Sequence, residues 1–175
     1  MHNQLLKRIA IIGPESTGKS TLACQLANHF NTTWVPEFSR EYLATLKREY
    51  NYEDVLSIAK GQLGNENRLA LFAENYLFVD TELIINKVWC EHKYHTCHQW
   101  ILDRLQDHHY DMYILTYFDL PWEYDPLREN PTIREELYEV YRNQLESYGA
   151  NYRVVKGVGD ERFRNALRFI ETAFS

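Results

Sequence analysis

The chain has 175 residues, 45% of them hydrophobic, which suits a single domain with a real core. Nineteen Lys and Arg against 25 Asp and Glu give a formal charge of −6 with no basic run, which argues against nucleic acid as the main partner but not against small anions. No apolar stretch approaches the ~18 residues of a membrane span, Met1-His2-Asn3-Gln4 lacks the layout of a signal peptide, and Cys24, Cys90 and Cys97 follow no framework spacing, so a reducing, cytoplasmic setting is expected.

In chain order, Arg8–Ile12 is the first strand candidate, an apolar run of the kind buried on both faces. It leads into Gly13-Pro14-Glu15-Ser16-Thr17-Gly18-Lys19-Ser20, which fits the phosphate-binding pattern G-x-x-x-x-G-K-[ST]. Leu22, Ala23, Leu26, Ala27 and Phe30 follow at helical spacing, so the loop lies between a strand and a helix, the context the motif requires. Gly13 and Gly18 let the backbone curl so that successive N–H groups point inward, and the positive end of the helix adds to them. Lys19 supplies a point charge for the β- and γ-phosphates and Ser20 a hydroxyl for Mg²⁺. Glu15, Ser16, Thr17 and Thr21 complete the nucleotide-facing set.

Thr32–Val35 reads as the second strand, followed by Pro36-Glu37-Phe38-Ser39-Arg40-Glu41. Ligands of open parallel sheets collect at the carboxyl ends of strands, which places Glu37 near the loop. A carboxylate there suits proton acceptance from a substrate hydroxyl, and Arg40, a turn later, suits a phosphate or the substrate. The bland alternative is an acid on a helix dipole plus a surface arginine. Tyr52–Glu74 reads as one long helix, with Gly61 and Gly64 as candidate breaks. Leu77–Asp80 is a strand ending in an acid, placed either for the magnesium shell or to cap the next helix. Thr81 and Glu82 follow it, with Glu82 evenly balanced between function and structure.

Met112–Thr116 is the fourth strand candidate. Leu120–Pro131 holds three of the five prolines and many charges, so a loop is expected, with a mobile lid over about 120–134. Arginines on such a lid, Arg128 first and Arg134 second, are suited to neutralise a triphosphate, and Trp122 and Tyr124 to stack on a ring. Leu137, Tyr141, Leu145 and Tyr148 share one helical face; Tyr152–Lys156 is the fifth strand; Phe163, Ala166, Leu167, Ile170 and Phe174 share another face. Cys90, His92, His95, Cys97 and His98 match no common zinc spacing and share no helical face, so buried thiols with exposed imidazoles are expected instead. His108-His109 reads as a solvated helix end.

Short strands alternating with helices imply βαβ units and a parallel sheet. The expected fold is α/β: a three-layer P-loop kinase fold, with a five-stranded parallel sheet flanked by helices and residues 1–175 forming one domain. Four segments then combine: Gly13–Ser20, Val35-Pro36-Glu37-Phe38-Ser39-Arg40-Glu41, Phe78-Val79-Asp80-Thr81-Glu82 and Leu120–Arg128. In order and spacing, from about Ile9 to Arg164, they resemble the kinase domain of NadR-type proteins, a family that phosphorylates the 5′-hydroxyl of ribosylnicotinamide with ATP and Mg²⁺. The resemblance implies that Lys19 and Ser20 serve the ATP phosphates and magnesium and that Asp80 is the magnesium-side carboxylate. It places Glu37, Phe38 and Arg40 in the nucleoside-facing segment, and Asp125 and Arg128 in the lid. Two departures stand out: Glu82 where the family usually has Asp, and Pro126 where it usually has Gly. The resemblance does not extend to the adenylyltransferase and DNA-binding modules of larger members, and their activities are not expected.

The expected chemistry is phosphoryl transfer from ATP to a nucleoside hydroxyl, with Lys19, Mg²⁺ and Arg128 spreading the charge of the moving group. Glu37 or Asp80 is the base, a choice the sequence leaves open. Trp122, Tyr124, Phe38 and Glu37 are available to a cationic ring. The alternatives are a kinase for another nucleoside or small hydroxyl compound, and a P-loop ATPase switch working with a protein partner. Sequence leaves the oligomeric state and the choice of ATP over GTP open.

Overall fold

The computed structural model describes residues 5–107 and 110–175. Met1–Gln4 and His108-His109, read above as a non-signal N-terminus and a solvated helix end, lie outside the described residues. Strand β1 (Lys7–Ile12) sets the architecture: Ile9, Ala10, Ile11 and Ile12 are all fully buried, which requires cover on both faces. Parallel partners β3 (Tyr76–Asp80) and β4 (Met112–Thr116) flank it, with Ile11 opposite Asp80 and Ile12 opposite Leu115. Strands β2 (Trp34–Val35) and β5 (Tyr152–Val155) form the edges, giving the order β2-β3-β1-β4-β5. Because β1 is central and the chain winds outward to both sides, the carboxyl ends of β1, β2 and β3 meet in one place.

Side chains alternate between two cores. Ile9, Ile11, Phe78 and Met112 pack against α1 (Lys19–His29) and α7 (Asp160–Phe174). Ala10, Ile12, Val79 and Leu115 face the other layer, built from α3 (Tyr52–Ala70), α4 (Leu83–Tyr94), α5 (Gln99–Asp107) and α6 (Arg134–Ser147). The short α2 (Phe38–Thr45) leads from the β2 tip onto α3. A five-stranded parallel sheet between helical layers is the fold expected above.

Several boundaries differ from expectation, each for a local reason. β2 keeps two of its four expected residues: the Thr32 N–H is bonded to the Ala27 carbonyl (2.9 Å) and its hydroxyl occupies the Tyr76 carbonyl (2.7 Å), so neither group enters a ladder bond. α3 runs through Gly61 and Gly64 without a break and stops at Ala70. Its start is a capping box: Asn51 and Asp54 satisfy each other's backbone N–H. Gly61 is there for packing, since a Cβ at that position would collide with the Phe38 ring. On α6, Leu137, Tyr141 and Leu145 are buried as expected, but Tyr148 is exposed at the C-cap. His98 is not exposed: its ring stacks on Tyr52 at 3.7 Å and its Nε2 lies 3.1 Å from the Tyr52 carbonyl oxygen. Among the described residues no cluster of three or more His, Cys, Asp or Glu is arranged to hold a metal.

Candidate active site

The loop after β1 departs from ordinary backbone where its sequence allows. Gly13 has φ 145° and lies so close to Thr116 on β4 that any side chain would strike it. Gly18, φ 76°, is the left-handed N-cap of α1. Between them Ser16 adopts φ 57°, a strained value for a residue with a Cβ. The Thr17 hydroxyl bonds Thr116 Oγ1 (2.6 Å) and the Pro14 carbonyl (2.7 Å), which ties the loop to the sheet. Lys19 Nζ donates to the Pro14 carbonyl at 2.8 Å, which folds the side chain back over the loop.

At the tip of β3, Asp80 is fully buried and accepts a 2.5 Å hydrogen bond from the Ser20 hydroxyl. Burial, then the nearby Glu37 carboxylate, push its pKa up to about 6; the Lys19 ammonium and the Ser20 and Thr81 hydroxyls pull the other way. Lys19, Ser20, Glu37 and Asp80 therefore share one electrostatic neighbourhood. Thr81, at φ 71°, makes the sharp turn out of the strand. Glu82, not Asp80, caps α4: its buried carboxyl accepts from the Ile84 N–H at 2.9 Å. Burial, reinforced by Glu66, raises the Glu82 pKa to about 8.

The β2 tip brings the second acid. Glu37 is the N-cap residue of α2; its carboxylate accepts from Ser39 Oγ (2.8 Å) and pairs with Arg40 Nε (3.3 Å). Gln62 on α3, buried and absent from the sequence reading, fixes this tip against its neighbour. Its side-chain oxygen accepts the Phe38 N–H (2.7 Å) and its amide donates to the Asp80 carbonyl (3.2 Å). One amide thus spans the two acid-bearing strand ends.

Segment 117–133, free of helix and strand, folds over the loop. Arg128 donates to Ser16 Oγ (3.3 Å) and to the Glu123 carbonyl (2.6 Å); Arg134 donates to the Ser16 carbonyl (3.3 Å) and the Leu120 carbonyl (2.9 Å). Asp125 accepts from Arg40 at 2.7 Å. Glu15 accepts the backbone N–H groups of Glu129 (3.1 Å) and Asn130 (2.8 Å).

These groups surround a cavity of about 770 Å³. Gly13, Glu15, Ser16, Thr17, Gly18, Lys19, Ser20 and Thr21 line one end; Glu37, Ser39 and Arg40 stand at the middle; Leu43, Tyr50, Ile85 and Trp89 line the far end, with Arg128 above. Asp125 and Phe38 border an adjoining recess shared with Glu37, Arg40 and Arg128. Trp122 and Tyr124 border neither space. The Trp122 ring lies against the Arg134 guanidinium, 5.9 Å from it, and Tyr124 is 86% exposed. The aromatic wall is instead Tyr50 and Trp89, edge to face at 5.0 Å. Its sequence signal was weak: Trp89 stands between Val88 and Cys90 in an amphipathic helix, where core packing is the default reading. Arg162, also unforeseen, is buried at the other rim and bonds the carbonyls of Tyr117, Val155 and Gly157 and the Asp119 carboxylate.

Fold and site together define a P-loop domain of the kinase type. Residues 8–162 match the family model described as an AAA domain, and the chain belongs to that family. The chain is 28% identical over 172 residues to the trifunctional NAD biosynthesis/regulator protein NadR of Escherichia coli (strain K12); the match covers 94% of the chain and spans 42% of that relative's length. The fold superposes on NadR protein in complex with NR with a TM-score of 0.77 at 21% identity, over 95% of this chain and 51% of that one. A second crystal structure, of NadR protein in complex with NAD and AMP-PNP, gives 0.74 at 21%, over 95% and 49%.

Proposed function

We propose that this domain transfers the γ-phosphoryl group of ATP to the 5′-hydroxyl of ribosylnicotinamide, forming nicotinamide mononucleotide. The observation that carries the proposal is the convergence of Glu37 and Asp80, from two strand tips, on Lys19 and Ser20: Lys19, Ser20 and Glu37 line the cavity, and Asp80 bonds Ser20 from the adjoining recess that Glu37 also borders. The NadR structures with NR and with AMP-PNP support the choice of acceptor and donor.

In this reading the loop amides and Lys19 hold the triphosphate. Ser20 and Asp80 fit a magnesium ion: a hydroxyl and a carboxylate of the right hardness, adjacent at 2.5 Å, with phosphate and water completing the set. Bound there, Mg²⁺ would neutralise charge on the phosphate oxygens. Asp80 is committed to that end, fully buried and bonded to Ser20, so Glu37 is assigned as the base. Glu37 takes the hydroxyl proton as the acceptor oxygen forms its bond to the γ-phosphorus, and the bond to the bridging oxygen breaks to release ADP. Arg40, held by Glu37 and Asp125, orients the acceptor, and Arg128 faces the growing negative charge. Tyr50 and Trp89 provide the ring surface, and the Glu37 and Glu129 carboxylates suit a ring that carries positive charge.

A coupled ADP-release assay over a panel of nucleosides tests this. Ribosylnicotinamide should give ADP well above buffer, with nicotinamide mononucleotide formed in equal amount. ADP release only with another nucleoside would transfer the same machinery to that acceptor. Hydrolysis that depends on a protein and not on any nucleoside would replace transfer with a switch.

A further inference from the structure

The lid segment is pinned from two directions through consecutive residues, and only one direction belongs to the phosphate loop. From the nucleotide side, Glu15 grips the backbone N–H groups of Glu129 and Asn130. From the acceptor side, the Glu129 carboxylate accepts a 2.6 Å hydrogen bond from the Tyr50 hydroxyl, which itself accepts the Trp89 indole N–H at 3.0 Å. Lys93, one turn along α4 from Trp89, lies 3.5 Å from Glu129 and 3.7 Å from the centre of the Tyr50 ring. Tyr50 and Trp89 both line the cavity, at the end assigned above to the acceptor. Between these anchors and the Arg40–Asp125 pair sits Arg128, the residue aimed at Ser16.

We infer that Glu129 is a positioning residue: it fastens the lid to the ring-binding wall and so sets Arg128 over the phosphate end. This rests on the phosphotransfer reading above. An exposed Lys–Glu pair alone carries little. The chain Trp89 N–H to Tyr50 O–H to Glu129 carboxylate carries more, because each bond polarises the next and the last is charge-assisted. Its consequence is selective. A ring seated against Tyr50 and Trp89 stiffens the wall to which the lid is tied, so the lid is best ordered when an acceptor is present. Water then meets a less well-set Arg128 than the acceptor does, which favours transfer over hydrolysis.

Glu129→Ala and Tyr50→Phe should each lower kcat about tenfold or more with the best nucleoside of the panel and leave KM for ATP within about twofold. Glu129→Gln keeps an acceptor for the Tyr50 hydroxyl and should restore most of the lost rate. Hydrogen exchange, which needs no acceptor, provides the second arm: in Glu129→Ala the amides of residues 125–130 should exchange faster while β1, β3 and β4 keep their protection. Unchanged exchange in 125–130, or no recovery in Glu129→Gln, overturns the inference, as does a loss of protection throughout the sheet. If no nucleoside turns over, the phosphotransfer reading falls and the exchange result decides the clasp alone.

Discussion

Lys19 folds back on the Pro14 carbonyl and is only partly buried, which sets what its removal costs. Lys19→Ala should abolish turnover while leaving the thermal midpoint within about 2 °C, since the substitution is near the surface and in the first turn of α1; retained activity would remove Lys19 from the mechanism. Asp80 makes a sharper test. Its carboxyl, raised to about 6, binds a proton more readily folded than unfolded, so it supports the metal-free fold at low pH and withdraws that support as pH rises from about 4 through 6. Asp80→Asn should therefore make the metal-free protein more stable by ~1–3 kcal/mol at pH 7, and no more stable at pH 3.5. Thermal unfolding at the two pH values reads this directly. Magnesium binding to the wild type should strengthen across the same window, as the carboxylate ionises. Much at this scale was legible beforehand, because the phosphate loop needs fixed residue types at fixed spacing. Gln62, Tyr50 and Trp89 were not, since a buried glutamine, or an aromatic residue in a helix or in the connection before one, looks the same in sequence whether it packs a core or lines a site.

Among the elements, α3 does the most to place the acids. Gly61 receives the Phe38 ring and Gln62 holds the Phe38 N–H, so two consecutive positions dock the start of α2. Gly61→Ala weighs two opposed effects. Helix propensity favours Ala by about 1 kcal/mol, but its Cβ would force the Phe38 ring and the head of α2 outward, at a cost of ~1–3 kcal/mol. The net should be destabilising, and turnover should fall as Glu37 moves; a gain in stability with full activity would contradict this docking. The α4 cap gives a pH test. Glu82, held at a pKa of about 8, adds stability that is complete below about 4.5 and lost as pH rises through 8. Glu82→Gln mimics the neutral acid, so it should match the wild type at pH 4 and exceed it by at least ~2 kcal/mol at pH 9 in denaturant unfolding. Element type was readable from periodicity. The two-residue β2 was not, because an edge strand needs few ladder bonds and a local hydroxyl can displace them.

For the molecule as a whole, the winding order brings three strand ends and one loop to a single site, a cavity and its adjoining recess, and this follows from right-handed βαβ connections once the strands are placed. That is why Lys19, Glu37 and Asp80 could be paired from sequence although 61 positions separate the first from the last. The path of segment 117–133 could not, since its anchors are scattered hydrogen bonds to Arg40, Ser16, Glu15 and Tyr50 that leave no periodic trace. It explains why Trp122 and Tyr124, natural choices for ring stacking, sit outside the cavity while the rings from 50 and 89 sit inside it. The measurement that bears most directly on this account is Glu37→Gln, assayed for both ribosylnicotinamide turnover and ATP affinity. The predicted result is a fall in kcat of at least about a hundredfold with ATP dissociation changed by less than about threefold. Equal losses in both, or turnover near that of the wild type, would contradict a proton acceptor at the β2 tip.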